Sequence, residues 1–504
     1  SPLVLIDGVE GGLGTVAPEN IASIDVLKDA SAAAIYGTRG ASGVIIITTK
    51  SGKRETETTA NYSGYMSVSN LGKTLDFFGP EEIRQGLTTF TDKGYDTDWL
   101  DAITRTAFTH NHNFNITGGN KKTTYSADIT YRKEEGTILN TWGESMRMRF
   151  DVSHWMLNDM LKVNLNMVKS RRKSGPVSGS GVYRYAIMRN PTEPIYNEDG
   201  SYYENFGINY YYNPVGMLQE VEGEGTNENT RMTGNITFEP IKGWQTNLML
   251  ARNTTMTHGR NFQTSDHYSQ VLAYRTGYAS QSHNEYVTDN LEITSKYNHT
   301  WDKHRFDALV GYSYQYGVYE GFNASNYNFP SDMFQYNNMG LGTAIKDGKA
   351  GIGSYKNDET LIGFFGRVSY GYDNKYNVLV SVRREGSSKF GENNKWGTFP
   401  SVSLGWTISN EEFMKDIVWL NNLKLRAGYG KTGVIPGSSY QSLTRYSYNA
   451  GYFYDNGVWN QGLGVASNPN PDLKWETSTE FNVGLDWSVL EDRLGGSIDV
   501  YRKN

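Results

Sequence analysis

The sequence predicts an all-β transmembrane barrel with an N-terminal α+β plug domain inside its lumen, on three observations. Apolar and polar residues alternate with period two from about residue 58 onward, as in strands with one apolar face. The connections between these segments switch between tight turns and long loops. The first fifty or so residues break the pattern with a compact helix-turn-strand unit, "DASAAAIYGTRGASGVIIITTK".

Composition narrows the class before any motif is read. The chain has 504 residues, of which 37% are hydrophobic, and a mean hydropathy of -0.59. A purely aliphatic run such as Val44 to Ile47 is far too short to cross a bilayer as a helix. That excludes helical membrane proteins and leaves barrels open, because a barrel strand is apolar on one side only. The 36 tyrosines and 11 tryptophans suit interfacial girdles, although a soluble carbohydrate-binding β protein would also be rich in them. The absence of cysteine says little about compartment. A formal net charge of -6 without a long basic block argues against a nucleic-acid partner. The chain opens inside a strand-like "PLVLIDG" without a signal peptide and stops inside "SIDVYRKN", so an internal piece of a longer polypeptide is expected.

In chain order, residues 1–53 read as the C-terminal part of the plug. "PLVLIDG" and "SIDVLK" are strands, and Asp29 or Ser31 can cap a short alanine-rich helix through Ile35. Gly37 supplies the positive φ that ends this helix, and "GVIIITT" is a strand apolar on both faces, which needs cover on both sides. A small domain inside a wide barrel has that cover, and a wide barrel needs a stopper.

Residues 54–504 read as the N-terminal and central part of the barrel, about fifteen strands with long extracellular loops. In "KTTYSADITYR" one face carries Tyr125, Ala127, Ile129 and Tyr131, the other Ser126, Asp128, Thr130 and Arg132. "SMRMRFDVS" sets Met146, Met148, Phe150 and Val152 against Arg147, Arg149 and Asp151, and "LKVNLNM" repeats the pattern. "GGNKK", "LNDM", "EPIKG", "DNK" and "EDR" are tight turns, whereas 170–227 and 317–360 read as long loops rich in Tyr, Asn and Gly. A soluble sandwich would have shorter strands, and no propeller-like repeat at fixed period is visible.

The stretches "PLVLIDGV", "IASIDVLKDASAAAIYGTRGASGVIIITTKSGK", "REGSSKFGENNKWGTFPSVSLGWTISNEEFMK", "LNNLKLRAGYGKTG" and "NPNPDLKWETSTEFNVGLDWSVLEDRLGGSIDVY" resemble the SusC/RagA-type TonB-dependent transporters of the Bacteroidetes outer membrane. The resemblance covers the whole chain in family order. Glu385 departs from it, since the family more often has Asp before "GSSKF". The resemblance implies a barrel of about twenty-two antiparallel strands, only part of it present here, with roughly seven C-terminal strands absent. It also implies a signal peptide, a carboxypeptidase-regulatory-like domain, a TonB box and the start of the plug before Ser1. The implied partners are a SusD-like surface lipoprotein, in a dimer of transporter-lipoprotein pairs, and the TonB-ExbB-ExbD complex that energises import of an oligosaccharide or oligopeptide. The implied location is the outer membrane of a Gram-negative bacterium, with outer-membrane lipid around the barrel. A passive structural or adhesive barrel with a static plug is the alternative.

Motifs for other chemistry fail on spacing. "GYGKTG" is no P-loop, because Leu425 stands where its first glycine belongs. "GVEGGLG" is followed by Pro18 and a loop where a dinucleotide site needs a helix. His110 and His112 share a strand face without a third metal ligand, and "YDTDWLD" lacks the glycine and distal glutamate of a calcium loop. Arg171, Arg172 and Lys173 suit a solvated rim. No Ser-His-Asp or paired-carboxylate site can be assembled by spacing, so no enzyme, metal or cofactor is expected.

Candidate site residues for binding and gating remain. By the resemblance, the loop after "IDG" faces outward, which makes Glu10, Gly11, Gly12, Leu13, Gly14 and Thr15 candidate substrate contacts on the plug. Tyr202, Tyr203, Tyr210, Tyr211, Tyr212 and Trp459 are candidates for stacking on sugar rings or peptide side chains, or equally for membrane-interface anchors. "WETSTEFNVG" places Phe481, Val483, Leu485 and Trp487 on the lipid face, so Glu476 and Glu480 point inward. The resemblance pairs such glutamates with plug arginines, and Arg39 is the candidate partner.

Overall fold

The computed structural model describes residues 2–27, 34–72, 77–177 and 179–504. Near the N-terminus, β1 (Leu3–Ile6), β2 (Val9–Glu10), β3 (Ile21–Leu27) and β4 (Val44–Thr49) form a four-stranded sheet in the order β2-β1-β4-β3. Asp7 and Gly8, both at positive φ, make the two-residue turn that joins β1 to β2. β4 pairs parallel with β1 and antiparallel with β3, and is apolar on both faces because both are covered. Val44 packs with Leu3 and Leu5 on one side, and Ile47 packs with Ile6 and Val16 on the other. The helix expected from Asp29 or Ser31 lies outside the described residues up to Ala33. Beyond them, residues 34–40 form a 3-10 turn broken at Gly37, whose φ of 66° is the positive value the sequence calls for.

The large sheet is built from β5 (Thr56–Ser69), β6 (Ala107–Gly119), β7 (Thr123–Glu135), β8 (Trp142–Met156) and β9 (Leu161–Ser174). It continues through β10 (Val221–Ile241), β11 (Trp244–Gln263), β12 (Tyr278–Trp301), β13 (His304–Tyr327) and β14 (Gly351–Tyr372). The remaining members are β15 (Tyr376–Ser387), β16 (Trp396–Thr407), β17 (Leu420–Val434), β20 (Glu476–Val489) and β21 (Leu494–Lys503). These fifteen strands pair antiparallel in chain order, β17 pairing with β20 because β18 (Arg445–Asp455) and β19 (Val458–Ser467) form a separate hairpin in the loop between them. The end strands β5 and β21 are exposed along their whole length.

The period-two pattern appears as an inside-out wall. On β9, Leu165 and Met167 face outward with 63% and 38% exposure, while Asn166 is buried. On β7 the polar residues Ser126, Asp128 and Thr130 are the buried ones, because the polar face of the sheet packs against the small sheet and its own polar neighbours. An aromatic band marks the short-turn end, where His299, Trp301 and His304 stack in sequence at 5.6 and 5.3 Å between ring centres. Each tight turn foreseen in the sequence is present, and several carry positive φ, as at Asn158, Gly243, Asn374 and Glu491.

Two expected loops are shorter than their sequence suggests. β9 continues to Ser174 and β10 resumes at Val221; β13 continues to Tyr327 and β14 resumes at Gly351. The ladder there outlasts the apolar alternation, since a strand that has left the membrane meets water on both faces and needs no apolar side. Within the loop between β9 and β10, the helices Gly179–Met188 and Pro214–Gln219 enclose a core with Trp99, Ile103, Val182, Ala186, Val215 and Leu218.

Candidate functional site

The seam between the small sheet and the wall brings together residues far apart in sequence. On β15, Val378, Val380 and Val382 face outward, and their opposite-parity neighbours Ser381, Arg383 and Glu385 are buried. Arg383 and Glu385 are 3% and 0% exposed in their side chains and joined by a 2.7 Å Nε to Oε1 bond. Each also grips the backbone of the 3-10 turn. Arg383 Nη1 donates to Ile35 O at 2.9 Å, and Glu385 Oε2 accepts from Thr38 N at 2.9 Å. Arg383 Nη2 donates to Ser313 Oγ on β13 at 3.0 Å, which fixes the guanidinium plane. Gly37 lies in this grip; a Cβ there would overlap Arg383 Nε and Glu385 Oε1, so only glycine fits.

Further contacts surround the small sheet. From β8, Arg147 Nε donates to Gly14 O at 2.7 Å and Arg149 Nη1 to Lys50 O at 2.8 Å. Arg149 also lies 3.6 Å from Asp7, whose carboxylate accepts from Thr49 N at 2.9 Å. Asn111 on β6 reaches Glu19 at 3.2 Å. Wall arginines thus satisfy turn carbonyls that lack a sheet partner, and hold the small sheet by hydrogen bonds at separated points.

The predicted plug residues fall on this seam. Glu10, Gly11, Gly12 and Thr15 line a cavity of about 350 Å³ against Asn227, Asn229, Thr255, Thr288 and Gln315 of the wall. Leu13 is 57% exposed, and Gly14 is the acceptor of Arg147. The proposed lock takes a different form. Arg39 bonds to Glu10 at 3.4 Å and to Gln315 at 3.3 Å, and its partners do not include Glu476 or Glu480. Those two glutamates have the expected parity, with Phe481 and Val483 more than half exposed on the other face. However, Glu476 pairs with Val434 at the far end of β17, and Glu480 lies opposite Gly430 and Lys503. The wall position that meets the plug turn is Glu385, helped by Arg383. A visible signal was a charged pair two residues apart on the non-valine face of β15.

The loop aromatics divide. Tyr211 is buried, with its hydroxyl donating to Glu193 at 2.9 Å and its ring 4.6 Å from the Arg189 guanidinium. Tyr203 lies 5.7 Å from the same guanidinium, and Tyr202 donates to Glu220 at 2.9 Å, so these three build the loop core. Tyr212 stacks on Tyr268 at 4.1 Å. Tyr210 and Trp459 are 62% and 69% exposed, and the Trp459 ring lies 5.3 Å from that of Tyr454. Burial beside Glu193 raises the Glu204 carboxyl to about 7, against the opposing pull of the Asn213 amide and Arg189. Of the set-aside motifs, His110 and His112 stand 5.2 Å apart with His112 bonded to Tyr62, and Asp98 caps the backbone of Leu100 and Asp101.

Comparison with known proteins agrees with this architecture. Residues 173–504 match the family model of the TonB dependent receptor-like β-barrel, and residues 1–44 match the TonB-dependent receptor plug domain. The chain belongs to the TonB-dependent receptor family. TonB-dependent receptor P3 of Formosa agariphila is 31% identical over 515 residues, covering 99% of this chain and 50% of that receptor. TonB-dependent receptor SusC of Bacteroides thetaiotaomicron is 31% identical over 553 residues, covering 99% of this chain and 53% of that receptor. The chain spans about half the length of the curated relatives it matches. The RagAB peptide transporter superposes with a TM-score of 0.83 at 24% identity, over 100% of this chain and 61% of that one. The ferric citrate transporter FecA superposes at 0.58 with 9% identity, over 100% and 61%, a likeness of fold alone. The protein is therefore a TonB-dependent outer-membrane receptor, with the small sheet as its plug and the large sheet as its barrel wall.

Proposed function

We propose that this receptor imports an oligosaccharide or oligopeptide across the outer membrane, with TonB supplying the work that displaces the plug. One observation carries this reading: the plug is held by a few hydrogen-bonded grips at separated points beside a polar cavity. Such grips can be broken in sequence and remade, which suits a stopper that must move. The substrate would enter past the long loops, touch Tyr210 and Trp459, and settle against Glu10 to Thr15. A SusD-like lipoprotein would cover the mouth, where the β18–β19 hairpin leaves Tyr446, Tyr452 and Trp459 more than 60% exposed. One neighbouring fold is described as a peptide transporter, and the amides and hydroxyls that line the cavity suit a sugar equally well. The test is uptake of labelled oligosaccharide and oligopeptide pools by cells with the receptor as their sole route. Uptake of one pool that stops when TonB is deleted is the expected result; uptake unaffected by that deletion would leave a passive barrel.

A further inference from the structure

Arg231 is the large cation whose role the grips do not explain. It projects inward from β10, two residues after the cavity-lining Asn229, and is 1% exposed. Its Nε and Nη2 have no hydrogen-bond partner. Arg147, Arg149 and Arg383 all donate to plug carbonyls, whereas Arg231 donates to none among the described residues. Asp7, the carboxylate whose field reaches it, is already engaged by Thr49 and Arg149. A buried guanidinium with its Nε and Nη2 edge unpaired is unfavourable and persists only when the surroundings impose it. The cover here is Gly11. A side chain at Gly11 would run into Arg231 Nη1 and Ile6, so the guanidinium lies directly behind the backbone that lines the cavity.

We propose that Arg231 is a concealed anion subsite of the cavity, which receives a carboxylate of the substrate when the turn from Glu10 to Thr15 lifts. This rests on the import reading and adds the chemical class of the cargo. The wall of the cavity is otherwise neutral, made of amides and hydroxyls such as Asn227, Asn229, Thr288 and Gln315, which suit the uncharged part of a sugar or peptide. Its one acid, Glu10, is neutralised by Arg39 and belongs to the turn that moves. A carboxylate offers the planar pair of acceptors that the free Nε and Nη2 edge requires. Binding an acidic ligand and lifting the turn are then the same event, because only the lifted state has a paired Arg231.

Binding to the full-length receptor in detergent tests this by titration calorimetry with two matched probe pairs. One pair is trigalacturonate and its methyl ester; the other is a tetrapeptide with a free and with an amidated C-terminus. The expected result is that one acid form binds at least tenfold tighter than its neutral partner, which also identifies the source of the carboxylate. Arg231→Gln abolishes that preference without weakening the neutral probe, and Arg231→Lys, which keeps the charge but not the planar fork, retains only part of it. Unchanged melting of Arg231→Lys guards against misreading a folding defect. No acid preference in either pair, or a preference that survives Arg231→Gln, overturns the subsite. Neither of those results touches the import reading, which fails only if uptake is independent of TonB.

Discussion

At the residue scale the decisive contrast is between Glu385 and Arg39. The Arg383–Glu385 pair is buried, and removing one member strands the other charge at a cost of about 3–5 kcal/mol. The Arg39–Glu10 pair is 24% and 48% exposed at 3.4 Å, so its loss costs under about 1 kcal/mol. Glu385→Gln and Gly37→Ala should therefore both raise entry of a large antibiotic such as vancomycin, read as a drop of at least fourfold in inhibitory concentration. Arg39→Ala should leave it within twofold. Equal leakage from all three would show that the grip at Gly37 does not hold the plug. Glu204 gives a second residue-level expectation. Its carboxyl is raised to about 7, so the folded loop favours the protonated form. The associated stability is complete below the ordinary carboxyl range near 4.3 and is lost as pH rises toward 7, then levels off. Amide exchange across 190–215 should accelerate from pH 5 to pH 8, after correction for intrinsic rates, and Glu204→Gln should flatten that rise. Arg39 was readable as a plug cation and Glu480 as an inward acid, but their pairing was not. The contact between Thr38 and Glu385 spans 347 positions, and nothing local in the sequence encodes it.

At the element scale the strands outgrow the membrane. β12 and β13 have 24 residues each. At about 3.4 Å per residue and a tilt near 45° they rise roughly 55–60 Å, about twice the ~25 Å apolar band. Val310, six residues above the aromatic position His304 and 62% exposed, falls near the middle of that band. Glu320, paired with Lys356 at 2.8 Å, lies above it. Val310→Arg should destabilise the receptor in lipid by about 2–4 kcal/mol, whereas Glu320→Gln should cost under about 1 kcal/mol; urea unfolding in liposomes measures both. Equal costs would mean that the bilayer sits elsewhere on the strand. Strand identity and tight turns were legible because lipid on one side and polar contacts on the other impose a strict alternation, as in Phe150 against Arg149. The upper halves of β13 and β14 were not legible, because "YEGFNASNY" has no apolar face to betray its ladder. The loop core around Trp99 and Leu218 was equally hidden, since its members come from three segments spread over more than a hundred residues.

At the scale of the whole molecule, the plug is fastened on two sides of the wall that do not touch. Arg147 and Arg149 act from β8, Arg383 and Glu385 from β15, and the strands β9 to β14 lie between them. At about 4.8 Å per strand the two fastenings are tens of ångströms apart along the wall. Distant sites without shared partners add, whereas two members of one hydrogen-bonded pair do not. Hydrogen exchange of β4, the plug's central strand, reports the free energy of opening in the full-length receptor. Arg149→Ala combined with Glu385→Gln should lower that energy by the sum of the single effects to within about 0.5 kcal/mol. Arg383→Ala combined with Glu385→Ala should lower it by less than the sum, because the second change removes a charge that the first had already stranded. If the distant pair were instead strongly non-additive, with one change alone accounting for most of the loss, β4 would open by a route that breaks one fastening and leaves the other closed. TonB could then peel the plug from one side of the barrel, rather than having to break all its fastenings at once.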